Sequence, residues 1–139
     1  MIAVVDASVA VLWTISTPLS EKAEALLRPG MSLIAPDFVI VEATNALFSH
    51  IRTRADRVER ALDGVEFLPR WFSELVPANT LRHRAMAYAM ELDHPAYDCF
   101  YLALATSRDV PLITTDEHFI RKARQSYSRN IKHLQEWAR

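Results

Sequence analysis

Cysteine is nearly absent from this chain. Cys99 is the only one among 139 residues, which excludes an internal disulfide and a zinc site built on thiolates. Glycine is almost as scarce. With only Gly30 and Gly64, there is no glycine-rich loop of the kind that cradles phosphates in nucleotide-binding folds. No apolar run is long enough to span a bilayer, and the opening residues read as a strand rather than as a basic segment leading into an apolar signal. Positive charge is not in excess either. A formal net charge of −1 offers a polyanion no global field and leaves only local basic faces to meet one. The simplest expectation is a soluble, cytoplasmic protein. About half of the residues are apolar, and no repeat, low-complexity segment or linker divides the chain, so one domain over residues 1–139 with a sizeable core is expected.

What is present is an alternation of strand-like and helix-like segments. Ile2-Ala3-Val4-Val5 is a continuous run suited to a strand covered on both faces. A helix is predicted from about Ser20, as N-cap, through Leu27, where Pro29-Gly30 stops it. Ser32 to Ala35 reads as a second strand, and Pro36 suits the first turn of a long helix reaching Arg52. Val39, Ala43, Ala46, Leu47 and Ile51 recur in it at helical spacing. An amphipathic helix over 55–67 pairs with that one, and a third strand follows at 75–77. Residues 79–92 are helical until His94-Pro95 breaks them. Tyr97 to Arg108 is apolar nearly all round, the mark of a buried helix. A strand at 111–114, a helix from Asp116 to Ser126, a strand near Ile131 and a short final helix complete the pattern. The alternation predicts a three-layer α/β/α sandwich around a central parallel sheet.

Four acids stand out against this pattern: Asp6, Glu42, Asp98 and Asp116. Asp6 ends the first strand and Asp116 follows the fourth. Each has a plain structural reading, because aspartate begins turns after strands and caps helices. Asp98, near the head of the buried helix, complements the helix dipole. Glu42 lies among Val39, Ile40, Val41, Ala43 and Ala46, where a carboxylate either faces solvent or needs a partner. Asn45 lies on nearly the same face and is placed to orient Glu42 or a water. Jointly the four would converge on the carboxyl edge of the sheet, where α/β folds put their sites. Clustered carboxylates need a counter-charge, and hard divalent cations supply it through oxygen ligands. The cluster therefore points to metal-assisted phosphodiester chemistry.

The motifs around these acids resemble those of PIN-domain ribonucleases, in particular the VapC-type toxins of bacterial toxin–antitoxin pairs. Val4-Val5-Asp6-Ala7-Ser8-Val9 resembles their first motif, and Ala35-Pro36-Asp37 through Val41-Glu42-Ala43-Thr44-Asn45-Ala46-Leu47 their second. His94-Pro95-Ala96-Tyr97-Asp98-Cys99-Phe100-Tyr101-Leu102-Ala103-Leu104-Ala105 is similar to the third, the most specific, and Leu112-Ile113-Thr114-Thr115-Asp116 to the fourth. The motifs occur in family order over nearly the whole chain. The resemblance implies a PIN fold and a Mg²⁺- or Mn²⁺-dependent endoribonuclease that hydrolyses RNA with a metal-activated water, leaving a 5′-phosphate and a 3′-hydroxyl. Asp6, Glu42, Asp98 and Asp116 carry over as catalytic metal ligands, Thr114 as a supporting hydroxyl, and Ser8 and Asn45 as further supports. It also implies a homodimer neutralised by a small antitoxin protein.

RNA would need positive charge near the acidic pit. Arg52, Arg54, Arg57 and Arg60 form one candidate cluster; Arg121, Lys122, Arg124, Arg129 and Lys132 form another. Solvated helix faces are the plain alternative for both. Trp13, Phe48 and Trp71 are candidates for partner contacts, with core packing as the alternative. His94, His118 and Cys99 read as structural or incidental. Two rivals remain: a receiver-like or flavodoxin-like binding module, and a PIN-fold protein that binds without cleaving. The first lacks support, since Ala7 and Ser8 follow Asp6 where a receiver pairs its acids.

Overall fold

The apolar run that opens the chain becomes the centre of the sheet. The computed structural model describes residues 1–137. Strand β1 (Ile2–Val5) has neighbours on both sides, with Ala3, Val4 and Val5 fully buried. β2 (Ser32–Pro36) and β3 (Glu74–Val76) extend the sheet one way; β4 (Leu112–Thr114) and β5 (Ile131–His133) extend it the other. The order is β3-β2-β1-β4-β5, and every pairing is parallel.

Helices make the crossovers that a parallel sheet requires. α1 (Ala7–Ala10) and α2 (Ser20–Glu24) join β1 to β2, and α3 (Val39–Ile51) and α4 (Val58–Phe67) join β2 to β3. α5 (Arg82–Leu92) and α6 (Ala96–Arg108) carry the chain back across the sheet to β4. α7 (Glu117–Tyr127) leads to β5, and α8 (Leu134–Trp137) follows it. The helices flank the sheet as the predicted α/β/α sandwich requires. The chain winds outward from β1, then returns and winds the other way. That reversal leaves a crevice at the carboxyl ends of β1 and β4, where α/β folds bind ligands. Flavodoxin-like folds and receivers order their strands 2-1-3-4-5, so this topology removes that rival. Among the described residues no helix is long and apolar enough to cross a membrane.

α6 behaves as its composition predicts: Cys99 and Tyr101 through Ala105 are buried as it crosses β1, β2 and β4 and packs on α5. Two local expectations are corrected. Pro36 does not start a helix; it closes β2, in register with Val76, and α3 begins at Val39. The sheet tolerates it for a reason of parity. Ser32 N–H donates to Met1 on the β1 side, so the nitrogen of Pro36, four residues on, turns to the same side. There it lies beyond Ile34, the last residue of β2 paired with β1, and its missing N–H costs no ladder bond. Ser20 does not cap α2 either. Leu19 holds that position, while Ser20 Oγ donates to Ile15 O at 2.8 Å and accepts Thr17 N–H at 2.9 Å. It ties down the loop before the helix.

Trp13 is core rather than surface: it is buried, its Nε1–H donates to Ala23 O at 2.8 Å, and Trp71 meets its ring edge-on at 5.4 Å between centroids. Trp71 is itself partly buried against the core, whereas Phe48 is 60% exposed. Gly64 marks the closest approach in this region. A Cβ there would lie 2.8 Å from Thr14 Cγ2 and 2.9 Å from Thr14 Cβ, and Thr14 is buried with its hydroxyl donating to Val11 O. Gly64→Ala is therefore expected to destabilise the fold: overpacking costs about 1–3 kcal/mol, against a helix-propensity gain of about 1 kcal/mol. Thermal melting checks this, and an unchanged or higher midpoint would refute it.

Candidate active site

Helix N-termini deliver all four acids. Asp6 leaves β1 and caps α1, accepting Val9 N–H at 3.3 Å. Asp116 follows β4 and caps α7, accepting Phe119 N–H at 3.0 Å. Asp98 sits in the first turn of α6. Glu42, read from sequence as a mid-helix acid, falls in the first turn of α3 because that helix starts after Pro36. The favourable end of each helix dipole thus supports a negative charge. The capping reading and the clustering reading prove compatible. Asp6, Glu42, Asp98 and Asp116 line one cleft of about 250 Å³, together with Ser8 and Tyr101.

Asp6 is the anchor. It is only 6% exposed. Ser8 Oγ donates to its Oδ1 at 2.6 Å, and Thr114 Oγ1 donates to its Oδ2 at 2.5 Å. Burial still pushes its carboxyl up to about 7; the hydrogen bonds from Ser8, Thr114 and Val9 pull the other way, and the Asp98 charge adds to the rise. The two hydroxyls also reach β4 and its exit. Thr114, fully buried, accepts Asp116 N–H at 3.1 Å, and Ser8 accepts Thr115 N–H at 3.1 Å. Both expected supports therefore lie where they fix the first acid to the strand that carries the fourth.

Glu42 is held by a residue that the sequence reading does not single out. Tyr101 O–H donates to Glu42 Oε1 at 2.6 Å across 59 residues. Burial raises the Glu42 carboxyl, against the Tyr101 bond, and the Asp98 charge raises it further. Burial and the neighbouring Glu42 push the Tyr101 hydroxyl far above the usual phenol range, so it stays a donor. Asn45, expected to orient Glu42, is exposed, and its side chain makes no hydrogen bond among the described residues. The signal for Tyr101 is its place three residues after Asp98, hence on the same helical face.

Asp98 has a second overlooked neighbour. His94 Nε2 lies 2.6 Å from Asp98 Oδ2. Burial raises the Asp98 carboxyl most; the His94 bond opposes this, and Asp116 reinforces it. Cys99, by contrast, points away from reactivity. Burial, with the Asp98 charge, drives its thiol up to about 11, so a nucleophilic thiolate is excluded at neutral pH.

The donor set suits a hard cation: four carboxylates share a cleft that no basic side chain lines among the described residues. One ligating atom from each of His94, Asp98 and Asp116 falls within 4.8 Å of the others. Both basic clusters lie away from the cleft lining. Arg52, Arg54, Arg57 and Arg60 are exposed around the α3–α4 turn, and none makes an ion pair among the described residues. The C-terminal group is largely engaged. Arg124 pairs with Glu136 and Arg129 with Asp109, Lys122 donates to Asp93 O, and Lys132 lies over Trp137.

Known proteins resemble this chain in sequence and fold. The sequence profile of the PIN domain matches residues 3–125. Ribonuclease VapC3 of Pyrobaculum aerophilum is 30% identical over 121 residues, covering 86% of this chain and 92% of the relative. Among solved structures, PAE2754 from Pyrobaculum aerophilum superposes with a TM-score of 0.67 at 22% identity, over 98% of this chain and 85% of that one. VapBC-1 from nontypeable Haemophilus influenzae gives 0.64 at 17%, over 97% and 99%. VapBC2 from Rickettsia felis, bound to a DNA fragment from their promoter, gives 0.65 at 9%, over 96% and 98%. At these identities the structural likeness speaks for the fold.

Proposed function

The chain belongs to the PIN domain family, and from that premise we propose that it is a Mg²⁺- or Mn²⁺-dependent endoribonuclease, the toxin of a toxin–antitoxin pair. The observation that carries this reading is the convergence of Asp6, Glu42, Asp98 and Asp116 on one cleft. These four carboxylates would hold the cation. When bound, it would acidify a water and offset the charge that builds on the phosphate.

The protein's own contribution is positioning. Asp6, locked by two hydroxyls and a backbone N–H, is a fixed ligand with little freedom to do more. Glu42 has one oxygen held by Tyr101, which leaves the other to orient the attacking water and take its proton. In-line attack by that water releases a 5′-phosphate and a 3′-hydroxyl. Of the two basic clusters, the one around the α3–α4 turn is the better support for an RNA backbone, because its four arginines are not committed to acids among the described residues.

Two exposed apolar groups support the partner assignments. Val41, Phe48, Leu62 and Phe67 are exposed on α3 and α4, a surface suited to the small antitoxin. Met86, Met90 and Tyr97 are exposed on α5 and α6, a surface suited to a second copy of the chain.

Mapping RNA 5′ ends in cells shortly after induction tests the activity, with Asp98→Asn as control. New ends at a few defined sites, absent from the variant, are expected. Identical end profiles from two soluble, expressed proteins would favour a PIN-fold protein that binds without turnover.

A further inference from the structure

His94 lies outside every helix and reads from sequence as incidental, yet its surroundings are closely determined. Asp93 ends α5 in the left-handed region, at φ 49°, and Pro95 stands at the entrance to α6. The turn between them is pinned by Lys122 Nζ, which donates to Asp93 O. The imidazole is 4% exposed and stacks on Phe119 at 4.5 Å between centroids and 27° between planes. Phe119 in turn donates its N–H to Asp116 Oδ1. One residue thus fixes Asp116 through its backbone and the His94 ring through its side chain.

We infer that His94 is a positioning residue for the site: its Nε2–H holds one oxygen of Asp98 and leaves the other for the cation. This rests on the metal-dependent reading above. The ring's other nitrogen settles the direction of the bond. Nδ1 is buried and has no hydrogen-bond partner among the described residues. A proton there would be a wasted buried donor, whereas a lone pair is the less costly loss. The proton therefore belongs on Nε2, facing Asp98 Oδ2 at 2.6 Å. The same bond argues against direct ligation by His94, since Nε2 is committed to the carboxylate and Nδ1 is turned into the core. The arrangement runs from cation to carboxylate to histidine, an outer partner of the kind whose loss weakens metal binding.

A mere filler of the core would be replaced well by His94→Phe, which keeps the stacking surface and removes the donor. His94→Gln does the reverse, since its amide N–H reaches the Nε2 position. Mn²⁺ binding to the purified protein, followed by calorimetry or by electron paramagnetic resonance, separates the two roles, with circular dichroism reporting the fold. His94→Phe is expected to weaken Mn²⁺ binding by about 10–100-fold, with cleavage recovering as Mn²⁺ is raised, while His94→Gln stays within several-fold of wild type. Wild-type affinity in His94→Phe, or equal losses in both variants, would overturn the inference while leaving the nuclease reading intact. A wild type that binds no Mn²⁺ would defeat both. Should His94→Phe not fold, long-range proton–nitrogen correlation on the wild type with Mg²⁺ decides the matter. An Nε2–H tautomer is expected, and an Nδ1–H tautomer refutes the bond as assigned.

Discussion

Asp98→Asn is expected to slow RNA cleavage by the purified protein by at least about 10²–10³-fold, the scale of losing one preorganised electrostatic contact in a catalytic site, while the fold survives. The substitution removes a charge and little else. The amide oxygen it introduces would keep an acceptor for His94 Nε2–H, and the side-chain shape is preserved. The Asp98 charge is also a liability in the metal-free fold, where burial and the nearby Asp116 both raise its carboxyl. Neutralising it relieves repulsion, so the melting temperature should hold or rise. Cleavage assayed across a range of Mg²⁺ and Mn²⁺ concentrations, beside a thermal melt of the same preparation, reads both effects. Cleavage within tenfold of wild type at every metal concentration would remove Asp98 from the proposed ligand set.

The metal-free protein is expected to lose stability as pH rises from about 4 to 7, and Asp6→Asn to restore it at pH 8. The cause is the Asp6 carboxyl, whose folded value near 7 stands well above the ordinary 3.8. Between those values the native state holds a proton that the unfolded chain has released. Raising the pH therefore favours unfolding, and the loss is complete once the folded group ionises. Glu42 and Asp98 are raised as well and act in the same direction. For Asp6 alone the effect is on the order of 2–4 kcal/mol. Asn keeps an oxygen at the Oδ1 position for the Val9 N–H and the Ser8 hydroxyl, and the Thr114 hydroxyl is free to rotate and accept from the amide that replaces Oδ2. At pH 8 without metal, Asp6→Asn should thus melt several degrees above wild type; at pH 4, where Asp6 is largely neutral, the gap should close. Mg²⁺ or Mn²⁺ should raise the wild-type midpoint at pH 8 far more than that of the variant. A variant that melts lower at pH 8, or a gap that ignores pH, would show that Asp6 is chiefly a helix cap.

These expectations share one physical origin. The cleft places three carboxylates where burial penalises their charge, and on the proposed reading a cation repays that cost. Ser8, Thr114 and Tyr101 do not remove the penalty; they hold Asp6 and Glu42 in place despite it. On that reading, stability in the metal-free state is given up for a cleft already shaped to receive the ion, as is common where binding requires strained electrostatics.

Much of the fold was legible in the sequence because its signals are local. The continuous run at 2–5 and the all-round apolar stretch of α6 can be satisfied only by burial, so strand and helix follow from composition and period. Asp6 and Asp116 were legible for a related reason: in a parallel sheet, the residue that ends a strand is at the edge that holds the site. Proline misled because it suits both a helix start and a strand end. Only the pairing partners on either side of β2 decide which, and the choice moved Glu42 from the middle of a helix to its first turn. The partners of the acids were legible only in part: Ser8 and Thr114 are expected as supports through the family resemblance, whereas Tyr101, 59 residues from Glu42, is not. His94 was near enough to read, four residues before Asp98, but Pro95 hid the helical relation by ending the pattern between them. The sequence by itself determined most of the elements and the places of Asp6 and Asp116 at the ends of their strands, since propensity, period and charge are properties of short segments. The tertiary structure alone decided that both expected hydroxyls hold Asp6, that the Asn45 side chain holds nothing among the described residues, and that a phenol and an imidazole hold Glu42 and Asp98, because hydrogen-bond partners are chosen by how the segments pack.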